Sequence, residues 1–128
     1  MRIFKSKSFE RTAKKLPIKN ADLWRAVAEI ESGLIDGNLG GGVYKQRVAR
    51  KNQGKSGGFR TILFLKSGER AFFVYAFAKK ERDNISKTEL KVYRDLAEKT
   101  LAYDDEAVAT LIETGAYVEA AVEVAEGC

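Results

Sequence analysis

The sequence predicts a small α+β domain: N-terminal helices, a small antiparallel sheet, then a C-terminal helix. Three observations predict it. Apolar residues recur at helical spacing before residue 35, three short aliphatic and aromatic runs separated by turn residues occupy the middle, and a helix-capping pattern opens the last third.

In chain order, Arg2 to Phe4 reads as a short opening strand, and "SKSFERTAKKL" as a short helix with Phe9 and Leu16 inward. In "IKNADLWRAVAEIESGLIDG", Leu23, Val27, Ile30 and Leu34 fall on one helical face, with Asn20 as the cap, Trp24 beside the stripe in the core, and Gly33 and Gly37 past the last turns. "NLGGGV" breaks that period. Val43 to Val48, Phe59 to Leu65 and Arg70 to Ala78 then read as an antiparallel meander, with "KSGE" between the second and third strands. Ser86-Lys87-Thr88-Glu89 is a capping box leading into Leu90, Tyr93, Ala97 and Leu101. A last helical segment starts at Asp104 or Asp105 and carries Val108, Leu111 and Ile112; "GAYVEAAVEVAEGC" reads as a strand or a frayed tail.

At 128 residues the chain supports one domain, residues 1–128, with an acidic C-terminal extension from about 102. No apolar run is long enough for a membrane span or signal peptide, so a cytoplasmic location and no membrane partner are expected. The single cysteine, Cys128, is the last residue and there is no histidine, which excludes disulfide frameworks, the usual zinc ligands and triads built on a histidine base. No metal or other cofactor is expected. Catalysis here has to use Lys, Arg, Tyr or carboxylates.

The net charge of +5 hides an asymmetry: residues 1–40 carry +3, residues 41–82 carry +9 and residues 83–128 carry −7. A basic middle of that density suggests a polyanion-binding surface, because clustered Lys and Arg gain affinity by releasing phosphate counterions. Within it, "ARKNQGKS" satisfies a loosened Walker A pattern through Ala49, Gly54, Lys55 and Ser56. A phosphate loop needs a helix to start at its Lys-Ser, whereas this one runs through Gly57-Gly58 into the strand "FRTILFL". "RKNQGKSGG" is better read as a basic loop joining two strands.

Strand alternation puts Lys45 and Arg47 on one face. It also groups Phe73, Tyr75, Phe77 and Lys79, with Phe72, Val74, Ala76 and Ala78 opposite. Phe73 is expected in the core; Tyr75 and Phe77, close to the basic "AKKER" end, suit either the core or stacking on a base. Arg60 opens the middle strand after a glycine pair that lets a backbone come close, which suits a phosphate site, though a hairpin also explains the glycines.

The stretch "GGGVYKQRVARKNQGKSGGFRTILFLKSGERAFFVYAFAKKERDNISKTELKVYRDLA" resembles the RelE/HigB superfamily of bacterial type II toxins, in particular its short RelE-like members. The likeness covers about residues 20 to 100 and rests on the order of its blocks: a Lys/Arg strand, "GKSGGFR", a hydrophobic hairpin and "FAKKERDNI". It implies a RelE/ParE-like toxin fold and a ribosome-dependent endoribonuclease that cuts mRNA in the ribosomal A site. It implies too a cognate antitoxin, in this subgroup usually a helix-turn-helix protein. Lys45 and Arg47 fall where the family places its paired basic residues on a central strand, Arg60 matches the arginine after the family's glycine, and Lys80 and Arg82 match the basic positions that end the last strand. Lys45, Arg47, Arg60 and Lys80 are thus the catalytic candidates, with Arg82 and, from the basic and aromatic pattern, Arg50, Lys51, Lys55, Tyr75, Phe77 and Lys79 as RNA contacts. Where the best-studied members carry a tyrosine after the last basic cluster, this chain has Ile85 and Ser86; Tyr75 is the candidate substitute. Relatives of the same fold inhibit DNA gyrase without cleaving anything, and a non-catalytic nucleic-acid-binding module is a further alternative.

RNA cleavage through its own 2′-hydroxyl needs in-line alignment, a proton acceptor, positive charge on the phosphate and a donor to the leaving oxygen. Neighbouring cations make a lysine amine a better base, and Lys45 stands beside Arg47 and Arg60. Arginine, always charged, suits the phosphate clamp.

Overall fold

A computed structural model describes the backbone of residues 1–50 and 54–122 and the side chains of residues 1–49 and 58–122. The element order is β1 (Arg2–Ser6), α1 (Lys7–Lys15), α2 (Asn20–Glu31), β2 (Gly37–Gly40), β3 (Val43–Arg50), β4 (Gly54–Lys66), β5 (Arg70–Ala78), α3 (Lys87–Leu101), α4 (Asp105–Glu113) and β6 (Tyr117–Glu119). The strands form a six-stranded sheet in the order β2-β3-β4-β5-β1-β6, antiparallel throughout except for β1 alongside β5. The α+β class is therefore as the sequence predicts, with a larger sheet: the opening strand joins the meander, and β2 and β6 form its edges.

Each helix starts where the sequence supplies a cap. Ser6 Oγ accepts the Phe9 N–H, Asp104 Oδ1 accepts the Ala107 N–H, and Ser86 and Glu89 form the expected reciprocal box on α3. The cap of α2 is Lys19 rather than Asn20, with its N–H donating to the Asp22 carboxylate. That helix also ends sooner than its apolar spacing implies. Gly33 takes φ +95°, a left-handed stop, so Leu34 leaves the helical face and is 64% exposed.

The sheet buries both faces. On one face Ile3, Leu63 and Phe73 pack with Phe9 of α1 and Leu23, Val27 and Ile30 of α2; on the other Phe4, Val43, Ile62, Phe64 and Phe72 pack with Ala97 of α3 and Val108 of α4. Trp24 is half-buried beside the first core, and its indole N–H donates to the Ala120 carbonyl just past β6.

A bulge in β5 corrects the strand reading. Ile62 pairs with Tyr75 but Leu63 pairs with Phe73, leaving Val74 as an extra residue that reverses the alternation. Phe73, Ala76 and Ala78 consequently face α1 and α2, whereas Phe72, Tyr75 and Phe77 share the opposite face. A second correction concerns the basic loop. Gly54 to Gly58 are strand backbone in β4, with Gly54 pairing Arg50, because ladder hydrogen bonds need no side chain. Lys55 and Ser56 do not open a helix, which excludes the phosphate-loop geometry.

Candidate functional site

The sheet face under α3 and α4 is only partly covered, and register places its side chains in rows. Val43, Phe64 and Phe72 form the row beneath the helices; Lys45, Ile62 and Tyr75 form the next; Arg47, Arg60 and Phe77 form the row beyond. Directly opposed residues on antiparallel strands hold their Cβ atoms about 4.5–5.5 Å apart. Arg47 and Arg60 are such a pair. Two like charges set opposite one another cost stability, so a compensating anion is called for.

Arg47 has one within the chain. Its Nε lies 3.7 Å from Asp36 Oδ1, and its backbone N–H donates to Asp36 Oδ2 at 2.6 Å. Asp36 is held there by the fully buried Gln46, whose Oε1 accepts the Asp36 N–H and whose Nε2 donates to the Leu34 carbonyl. Arg60 has no such partner: its Nη1 is buried and makes no hydrogen bond among the described residues. A buried guanidinium nitrogen without an acceptor is costly to leave so, and an arriving anion would satisfy it. Lys45 likewise has no carboxylate at ion-pair distance among the described residues.

Gly58, two residues before Arg60, serves strand approach. A Cβ on Gly58 would sit 2.0 Å from the Val48 carbonyl oxygen, so only glycine lets β3 and β4 close at this point.

At the far end of β5, Arg82 folds back over the aromatic pair. Its carbon Cζ lies 5.8 Å from the Tyr75 ring centroid and 5.7 Å from that of Phe77, whose rings are 5.4 Å apart. Its Nη1 donates to Tyr75 Oη at 3.2 Å and to Glu89 Oε2 at 3.1 Å, Nη2 donates to Glu89 Oε1 at 2.6 Å, and Nε donates to the Asn84 carbonyl at 3.0 Å. The bidentate bond from Arg82 holds the Glu89 carboxyl down to about 2, and the same bond raises the arginine further above its already high range. Phe77 is 3% exposed, which leaves it a support beneath Arg82 rather than a surface for a base. Tyr75 stacks on Tyr93 of α3, whose hydroxyl burial pushes up to about 12.

Lys79 and Lys80 lie exposed in the turn after β5, at the end of the sheet where Arg60 pairs with Phe77. The side chains of Arg50 and Lys55, and Lys51 altogether, lie outside the described residues. Of the eleven candidate residues, the fold thus brings Lys45, Arg47, Arg60, Tyr75, Phe77 and Arg82 onto one face. Sequence reasoning missed Asp36, Gln46 and Glu89. The Ser86 capping box carried a signal for Glu89, but nothing local announces that a helix-capping carboxylate also binds an arginine seven residues earlier.

A family model described as the RelE toxin of the RelE / RelB toxin-antitoxin system matches residues 1–120. The chain belongs to the RelE toxin family. The match extends the resemblance at both ends, taking in β1, α4 and β6. Membership makes this RelE-type chain the toxin of a type II toxin–antitoxin system, with an antitoxin as its partner. A comparison with curated proteins returns no match. Among the described residues of the toxin, no helix is long and apolar enough to cross a membrane.

Proposed function

We propose that this RelE-family toxin is a ribosome-dependent mRNA endoribonuclease that inhibits translation, acting in the cytoplasm under control of a helix-turn-helix antitoxin. The observation that carries the reading is the Nη1 of Arg60, buried and unpartnered among the described residues, at the centre of the basic row. The face offers a phosphate two neighbouring guanidiniums, only one of which is already occupied by a carboxylate.

The chemistry needs three roles. Lys45 accepts the proton of the 2′-hydroxyl as that oxygen attacks the adjacent phosphorus. Arg60, with Arg47 beside it, takes the charge that develops on the phosphate oxygens. The bond to the 5′ oxygen breaks, and Lys80 protonates the departing oxygen, leaving a cyclic phosphate on one fragment and a 5′-hydroxyl on the other. None of these groups aligns the RNA chain in line by itself, so the ribosome supplies that alignment.

Controlled expression in bacteria tests the reading. Wild-type protein should arrest protein synthesis, and Arg60→Ala should not, although it folds normally. Gyrase supercoiling in vitro should be unaffected by either. Inhibition of supercoiling, or full toxicity of Arg60→Ala, contradicts the proposal.

A further inference from the structure

Arg82 is surrounded in a way that does not suit a phosphate ligand. Of the five N–H donors of a guanidinium, four are engaged inside the chain, by the Asn84 carbonyl, the Tyr75 hydroxyl and both oxygens of Glu89. The edge of the group is thus used up but for one N–H of Nη2. Its plane is not. One face rests over Tyr75 and Phe77, while the side chain remains 32% exposed.

We propose that Arg82 meets RNA through the flat face of its guanidinium, as a stacking surface for a base, and that Glu89 is the positioning residue that holds it in that orientation. The inference deepens the reading of this face as an RNA site and rests on it. Arginine planes stack on unpaired bases much as aromatic rings do, and Phe77 and Tyr75 lie side by side beneath Arg82, their centroids almost equidistant from its Cζ, as a floor that supports the group. Glu89 is anchored in turn: its Oε1 also accepts the Ser86 N–H at 2.8 Å, so the start of α3 fixes the carboxylate before RNA arrives. Glu89 already serves α3 as the N3 residue of its capping box; by charge alone it would repel a phosphate chain, but paired with Arg82 it orients the guanidinium instead.

The test is the affinity of the purified full-length toxin for a short single-stranded RNA whose 2′-hydroxyls are blocked, measured by fluorescence anisotropy across a salt series. The variants are Arg82→Ala, Arg82→Lys and Glu89→Gln, each checked for an unchanged far-UV spectrum. Stacking predicts that Arg82→Ala loses about tenfold or more in affinity, with the slope of log affinity against log salt unchanged. Arg82→Lys, which keeps the charge but lacks the plane, should behave like the alanine variant. Glu89→Gln keeps the hydrogen bond to Ser86 but breaks the ion pair, and should lose several-fold even though it removes a negative charge.

A direct phosphate contact gives the opposite pattern. Arg82→Ala would then lower the slope by about 0.7, the value for one phosphate on a single strand, Arg82→Lys would stay near wild type, and Glu89→Gln would bind more tightly. That pattern overturns the stacking role while leaving the nuclease reading intact. No binding by the wild-type protein would overturn the RNA-site reading and the stacking role together, and cleavage assays on ribosomes would report separately on the nuclease.

Discussion

Arg60 is set against its own stability. Its partner across the ladder is Arg47, and its Nη1 is buried without an acceptor among the described residues. Functional groups held this way are commonly improved in stability by removal. We expect Arg60→Ala to raise the unfolding free energy measured in urea by about 0.5–1 kcal/mol, moving the midpoint up, while abolishing toxicity. A variant that lost stability would mean that Arg60 is a structural partner after all. Glu89 carries a pH dependence of known sign. Its carboxyl titrates near 4.5 when unfolded and near 2 in the fold, so the Arg82 bond contributes fully above about 4.5 and fades as pH falls toward 2. Wild-type urea midpoints should fall across that window, and Glu89→Gln should flatten that part of the curve; equal slopes would show that the pair is absent in solution. The basic identities on the site face are legible from the sequence. Their partners are not, because Asp36 lies eleven residues from Arg47 and is placed by a buried Gln46 whose role only the folded chain reveals.

At the level of elements, the sequence marks what has a local cause. Ser86 and Glu89 announce α3, and alternating apolar residues between turn signals announce the meander. It does not mark the bulge at Val74, since an inserted residue in a run such as "RAFFVYAFA" leaves no compositional trace while reversing which side chains share a face with Lys45 and Arg60. It also conceals β2, a glycine-rich edge that is a strand only because β3 offers it a ladder. Gly58 shows how tightly this part is built. A Gly58→Ala change drives a methyl group into the Val48 carbonyl, so the strands must part beside Arg60. The expected cost is about 2–4 kcal/mol in chemical unfolding, with toxicity lost as well. An unaffected midpoint would contradict the β3–β4 spacing.

Across the whole molecule, the two ends of the chain close the sheet together. β1 is inserted between β5 and β6, and Trp24, the single tryptophan, donates to the Ala120 carbonyl. Ending the chain after residue 115 removes β6 and that acceptor. It should cost about 2 kcal/mol or more and shift Trp24 emission to the red, and a truncated protein with wild-type stability and emission would show the C-terminal strand to be dispensable. Charge is divided on the same scale: residues 83–128 carry −7 against the +9 of the middle. The long-range juxtaposition of β1 with β5 is invisible to local patterning, because parallel pairing leaves no turn signal between its partners.

The most direct measurement is a map of mRNA 5′ ends in a bacterial translation extract, with the wild-type protein, with Arg60→Ala and with no addition. New ends within codons at translated positions are expected, absent with Arg60→Ala and absent when the same RNA is supplied without ribosomes. Intact mRNA in the presence of folded wild-type protein, or the same ends produced by Arg60→Ala, would contradict the nuclease reading.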